Sequence, residues 1–155
     1  MKLDAYVAGV GMTQFGKHMD TGLKALGGEA IQLALADAGI QGKDLQAAWV
    51  GNAAAGLVTG QECIRGQVVL RGSGIGKIPV VNVENACASA STAMNQAAMM
   101  VTAGIYDMVL AVGVEKLYHE DKKRTFGAFS GAVDVEAFAE IMENLKKSAE
   151  AGGAS

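Results

Sequence analysis

The sequence predicts an α/β protein with a mostly parallel sheet, and two observations support this fold class. Short segments of Val, Ile, Leu and Ala alternate along the chain with longer helical patterns, which is typical of a parallel sheet covered by helices. The 155 residues are 50% hydrophobic and 19% charged. That is enough apolar material for the core of one domain, and it excludes a disordered chain.

The first half of the chain contains two strand–helix units. Apolar side chains at helical spacing predict each helix, and short apolar runs between glycine-bearing loops predict each strand. Gly39 is predicted to end the first helix. The predicted elements of this half are, in order, a strand at Ala5–Val10, a helix at Leu23–Ala38, a strand at Ala47–Asn52, a glycine-bearing loop at Ala55–Gly60 and a helix at Gln61–Leu70.

The third unit gives the pattern βαβαβαβ. Its predicted elements are a strand at Val80–Val83, a turn at Glu84–Cys87, a helix at Ala88–Ala103 and a strand at Met108–Val114. The Ala88–Ala103 helix is small or apolar on nearly all faces, which predicts that it is buried between layers.

Composition changes after Val114. A charged segment at Glu115–Arg124 precedes a glycine-rich stretch at Thr125–Gly131. An amphipathic pattern then predicts a helix at Asp134–Ala149, followed by a frayed tail at Ala151–Ser155.

Charge and cysteine content exclude several classes of protein. A net charge of −3 and a pI of about 5.3 do not indicate nucleic acid or an anionic membrane as a partner. Polar residues interrupt every long apolar run, so no membrane span is predicted. Asp4 interrupts any signal peptide, and two cysteines do not form a disulfide framework. The expected location is therefore the cytoplasm.

Cys87 is the candidate nucleophile. It lies between an apolar strand and the N-terminal end of a predicted helix, where the helix dipole and free amide groups favour a thiolate. A thiolate attacks a thioester carbonyl, although position alone leaves a simply buried cysteine as an equal alternative. Cys63 is interpreted as a small packed thiol. His18 and His119 are interpreted as solvated, and no cofactor or metal site is predicted.

The segment around Cys87 resembles a known family. Pro79–Ser91 has an apolar strand, an Asn two residues before Cys87 and then an alanine-rich helix, and it resembles the nucleophilic-cysteine segment of the thiolase superfamily. Gly11–Lys17 and Gly113–Lys116 are similar to the sterol-carrier-protein type of thiolase. The resemblance runs from about residue 3 to residue 135.

The resemblance implies thiolase-type acyl transfer, in which Cys87 is acylated by an acyl-CoA substrate and no separate cofactor is needed. Residues 1–116 would form an incomplete N-terminal α/β domain, and residues 117–155 the start of a loop domain over the substrate. Strand Val80–Glu84 would lie beside its mate in a homodimer, with the Gly56–Gln61 loop near that interface.

The sequence differs from the family pattern in two ways. Ala90 stands where the family usually has glycine, and the family's catalytic histidine and Cys-x-Gly motifs are not found. We therefore expect an N-terminal fragment or split subunit that a C-terminal chain complements. The alternatives are a retro-aldolase acting on steroid side-chain acyl-CoA with a partner protein, and a non-catalytic acyl-CoA-binding or assembly subunit.

Overall fold

A three-stranded parallel sheet lies at the centre of the computed structural model, which describes residues 2–152. Its strands are β1 (Ala47–Gly51), β2 (Val80–Val83) and β3 (Val109–Gly113), and their order is β2-β1-β3. Both pairings are parallel. The predicted α/β class with a mostly parallel sheet is thus confirmed.

Helices flank both faces of this sheet. Gly39, at φ 68°, ends the first helix as predicted, and its amide donates to the carbonyls of Leu35 and Ala36. Within the described part of the chain, no helix is both long and apolar enough to cross a membrane. The helices are α1 (Leu23–Ala38), α2 (Ala55–Thr59), α3 (Arg65–Gly72), α4 (Ser89–Thr102), α5 (Lys122–Ser130) and α6 (Phe138–Gly152), with short 3₁₀ turns at Gly42–Asp44 and Ala86–Ala88.

Alternate residues of β1 face two separate cores. Ala48 and Val50 point to the larger core, which α1 and α3 form with the inner side of β3. Ala47 and Trp49 point to a smaller core against α4, where Ala93 and Ala97 are buried. All five residues of β1 are buried, as expected for the central strand of a parallel sheet.

The predicted first strand is wrong. Residues 5–10 join no sheet, and side chains hold the backbone at the two ends of this segment instead: the preceding Asp4 amide donates to Thr102 Oγ1, and the Val10 amide donates to Asp37 Oδ2. At Gly9 an added Cβ would lie 2.5 Å from the Ala38 backbone nitrogen, so this segment packs directly on α1. An apolar segment forms a strand only where another strand offers it hydrogen bonds, which periodicity does not reveal.

The helices also differ from prediction in three parts of the chain. The second predicted helix starts late because Ile64 has a left-handed φ of 50°, and the short α2 occupies the predicted loop before it. Helix α5 covers most of the predicted glycine-rich stretch. Asp134 Oδ1 accepts amide protons just before α6, which starts at Phe138 and continues through Gly152. The remainder of the predicted tail, 153–155, lies outside the described residues.

The α4 helix is not buried between layers as predicted. Only Ser89, Ala93 and Ala97 are buried along it, whereas Met94 is 56% and Met99 is 37% exposed. One face of the helix packs on the sheet, and no second layer of the described residues covers the other face. Small apolar residues all round a helix therefore indicate close approach to the sheet here, without full enclosure.

Candidate functional site

The carboxyl ends of β1 and β3 form a glycine floor, by which we mean Gly51 and its register partner Gly113. The first turn of α4 lies directly on this floor. A Cβ added at Gly51 would lie 2.6 Å from the carbonyl carbon of Ser89, and one added at Gly113 would clash with the Cβ of Ala90. The floor thus lets the start of α4 approach the sheet more closely than any other residue type would allow.

Cys87 lies in the 3₁₀ turn that connects β2 to α4, and its side chain is exposed. The turn follows the carboxyl end of a parallel strand, which is where open α/β sheets present their ligand sites. Ala86, directly before Cys87, has a φ of 46°, a left-handed conformation that is unfavourable for alanine. Such strain persists only where the surrounding structure enforces it.

The hydroxyl of Ser89 enforces this turn from one side and Glu84 from the other. Ser89 Oγ accepts the Asn85 amide proton at 2.9 Å and donates to the Ala86 carbonyl at 2.7 Å. The carboxylate of Glu84 accepts the Ala86 amide proton at 2.7 Å. The backbone around Cys87 is therefore fixed by side chains on both sides of it.

A buried amide, which sequence reasoning missed, ties the strand ends together. Asn52 follows β1 and is 4% exposed. Its Nδ2 donates to the Val114 carbonyl at 2.7 Å and to Glu115 Oε1 at 3.0 Å. Its Oδ1 accepts from the Ala55 amide at 3.2 Å and from Arg65 Nη1 at 2.9 Å. All four hydrogen-bonding positions of this side chain are used, which rigidifies the site.

The carboxylate of Glu115 completes this network. Its Oε2 accepts the amide protons of Ala53 and Ala54 at 2.9 and 3.0 Å, just before α2 begins. Strands β1 and β3 are thus clamped together immediately beyond the glycine floor. The sequence does carry a signal for this clamp, because Asn52 and Glu115 are the polar residues that end two apolar strand patterns.

The remaining predicted site residues lie apart from Cys87. Cys63 is exposed and precedes α3, so its prediction as a packed thiol is wrong. His18 Nε2 bonds the Gln14 carbonyl, and His119 Nδ1 accepts the Asp121 amide proton. Among residues 2–152 the Cys87 thiol has no hydrogen-bond partner.

The basic residues after β3 are partly engaged by the protein itself. Lys122 Nζ lies 3.5 Å from the centroid of the Tyr118 ring, and Lys17 Nζ lies 5.4 Å from it. The hydrogen bond and positive charge of Lys122, with a further contribution from Lys17, lower the pKa of Tyr118 below its usual value of 10.0. Arg124 Nη1 donates to the Val58 carbonyl at 3.4 Å.

Residues 5–147 match the family model of the thiolase N-terminal domain. The chain is 41% identical to an acetyl-CoA acetyltransferase of Methanocaldococcus jannaschii, over 86% of this chain and 33% of that protein. It is 39% identical to sterol carrier protein 2 of Gallus gallus, over 76% of this chain and 21% of that protein. It is 38% identical to the benzoylsuccinyl-CoA thiolase subunit BbsB of Thauera aromatica, over 74% and 29%.

A solved structure shares the fold. The chain matches 3-oxoacyl-[acyl-carrier-protein] synthase III of Aquifex aeolicus VF5 with a TM-score of 0.56 at 19% identity. The match covers 63% of this chain and 31% of that one, and at this identity it shows the fold alone. The chain spans about a third or less of the length of the curated relatives it matches.

Proposed function

The chain belongs to the thiolase N-terminal domain family, and we propose that its Cys87 accepts an acyl group from a coenzyme A thioester. The observation that carries the proposal is an exposed thiol on a strained turn at the carboxyl edge of the sheet, directly before α4. Relatives named acetyl-CoA acetyltransferase support this reaction class. The sterol-carrier type is supported by the similarity to sterol carrier protein 2.

The proposed step exchanges one thioester for another. The Cys87 sulfur, as thiolate, attacks the carbonyl carbon of the acyl-CoA, and a new carbon–sulfur bond forms. The bond between that carbon and the coenzyme A sulfur then breaks, and coenzyme A leaves as a thiol carrying the proton that Cys87 lost. The positive end of the α4 dipole lies on the side where negative charge develops.

The second half of the reaction needs groups that lie elsewhere. Neither His18 nor His119 hydrogen-bonds to Cys87, and among the described residues its thiol has no hydrogen-bond partner. We propose that a C-terminal half or complementing chain supplies the acid and base that act on the second substrate, whereas the N-terminal end of α4 favours the Cys87 thiolate needed for the first step. The residues before 117 would form the nucleophile-bearing domain, and the later residues would begin the substrate cover.

Mixing the chain with acetyl-CoA is expected to add one acyl group at Cys87, seen as a single increase in intact mass. Cys87→Ala should abolish the increase, because it removes the attacking sulfur. Cys63→Ala, at the other exposed thiol, should retain it. Acylation of both thiols at equal rates in the folded chain, or of neither, would contradict the proposed role of Cys87.

Each of the two alternative functions predicts a different experimental result. Acyl-CoA binding without any covalent mass increase would favour a non-catalytic binding or assembly subunit. Carbon–carbon cleavage of a steroid side-chain acyl-CoA, observed only with an added partner protein, would favour a retro-aldolase. Acyl transfer is preferred here because relatives named acetyltransferase and thiolase match most of this chain.

We propose further that the chain forms a homodimer through β2. This strand ends the sheet on one side, and Val81 within it is 40% exposed. An apolar edge strand that offers unpaired hydrogen-bonding groups is a template for a second strand, here from another copy.

A lysine at Val81 is therefore expected to produce monomers, because it places a charge in the proposed interface. Sedimentation equilibrium would show the apparent mass of Val81→Lys falling to half that of the wild type. Ile105→Lys, at a residue that is 59% exposed after α4, serves as the matched control and should leave the mass unchanged. A wild-type chain that is already monomeric at high concentration would refute the proposed dimer.

Cytoplasmic localisation is also proposed. Both cysteines, Cys63 and Cys87, are free thiols. Free exposed thiols fit a reducing compartment, and the proposed reaction requires Cys87 to stay reduced.

A further inference from the structure

Ser89 and Cys87 lie close together in the chain but differ in burial. Cys87 is exposed, whereas Ser89, two residues later, is only 5% exposed. Glu84 also hydrogen-bonds to this turn, but Glu84 is exposed. Its carboxylate accepts the Ala86 amide proton at 2.7 Å. Because the Ser89 hydroxyl is buried, water competes little for its hydrogen bonds to the turn.

The Ser89 hydroxyl makes two hydrogen bonds to residues that precede Cys87, so the bonds close a short loop that contains Cys87. The hydroxyl accepts from the Asn85 amide at 2.9 Å and donates to the Ala86 carbonyl at 2.7 Å. Because a hydroxyl has a single proton to donate, its donor is fully used within the protein. Ser89 is thus not available to donate to a substrate, and any effect it has on chemistry acts through Cys87.

Ser89 is itself immobilised by the sheet. Its carbonyl carbon lies 2.6 Å from where a Cβ on Gly51 would be, so the first residue of α4 is seated on the glycine floor. Because Ser89 is fixed against the rigid end of β1, its hydroxyl also fixes the left-handed turn at Ala86. Removing it would leave that turn free to relax toward an ordinary conformation.

We propose that Ser89 is the positioning residue of Cys87: its hydroxyl holds the strained turn so that the thiol stays at the carboxyl edge of the sheet, directed toward the acyl donor. The inference rests on the proposed function of Cys87 for its catalytic consequence. A misplaced nucleophile loses reactivity steeply, by roughly 10- to 100-fold for a displacement of about 1 Å.

The test compares three variants in single-turnover acylation by acetyl-CoA, read by intact mass. Ser89→Ala should lower the acylation rate at saturating acetyl-CoA by roughly 10-fold or more, with little change in the half-saturating concentration. Ser89→Thr retains a hydroxyl and should recover most of the rate. Ser91→Ala, an exposed serine on the same helix, is the matched control and should react like the wild type.

The possible failures are distinguishable. If the wild type is acylated at Cys87 and folded Ser89→Ala is acylated equally fast, the positioning role is overturned while the proposed function stands. If the wild type is not acylated at all, the proposed function fails, and iodoacetamide labelling of Cys87 relative to Cys63 still tests the positioning role by the same comparison. If Ser89→Ala does not fold, amide exchange in the wild type decides: rapid exchange at Asn85 overturns the inference.

Discussion

Gly51→Ala is expected to destabilise the domain by about 3 kcal/mol, the upper part of the usual range for overpacking. The added Cβ would lie 2.6 Å from the Ser89 carbonyl carbon and 2.7 Å from the Ala90 nitrogen. Both are backbone atoms of the first turn of α4, so no side chain is able to rotate away. Strand propensity alone predicts the opposite sign, since alanine is preferred to glycine by about 0.5–1 kcal/mol.

Urea denaturation monitored by circular dichroism measures this change in the free energy of unfolding. Gly76→Ala is the matched control, because a Cβ there meets nothing within 4 Å. It should be neutral or slightly stabilising. Equal midpoints for Gly51→Ala and the wild type would mean that α4 does not rest on β1 as described. Such a result would also remove the physical basis for Ser89 as a fixed anchor.

Asn52→Leu is expected to cost a similar amount, about 3 kcal/mol, for an electrostatic reason. Leucine occupies a similar volume but leaves the Val114 carbonyl and the Ala55 amide without the partners they have at 2.7 and 3.2 Å. Glu115 also loses the Nδ2 donor at 3.0 Å. The free-energy cost of burying polar groups without hydrogen-bond partners exceeds the stabilisation from the added apolar contact.

Asn95→Leu provides the comparison, because Asn95 is exposed on α4. That change should alter the unfolding free energy by no more than about 0.5 kcal/mol. The Asn52 variant should also react more slowly at Cys87 in iodoacetamide labelling, since the clamp fixes the strand ends under α4. Retained stability in Asn52→Leu would show that the clamp is replaced by water at little cost.

The sequence predicted those parts of the fold that depend on local pattern. The α1 helix has the predicted bounds, Leu23–Ala38, because an apolar stripe and a terminal glycine specify both its face and its end. The β2 strand likewise matches at Val80–Val83. Residues 5–10 were mispredicted because a strand also needs a neighbour, and that neighbour is a property of the whole sheet.

The candidate site was predicted less completely. Cys87 was identified by its place between a strand and a helix, and it lies in the connecting turn. The left-handed φ of Ala86 leaves no trace in the sequence, because alanine rarely adopts that conformation and nothing local requires it. The roles of Ser89 and Asn52 depend on contacts between residues that only the folded chain brings together.

The contact between Ala90 and Gly113 has a consequence for how this domain changes over evolutionary time. A side chain at one position fills the space that a side chain at the other would need, so the two residues are coupled and their substitutions are not additive. An exchange to glycine at 90 and alanine at 113 has two possible mutational orders. Only the order that first makes both positions glycine avoids the clash, so the substitution at 90 has to precede the one at 113.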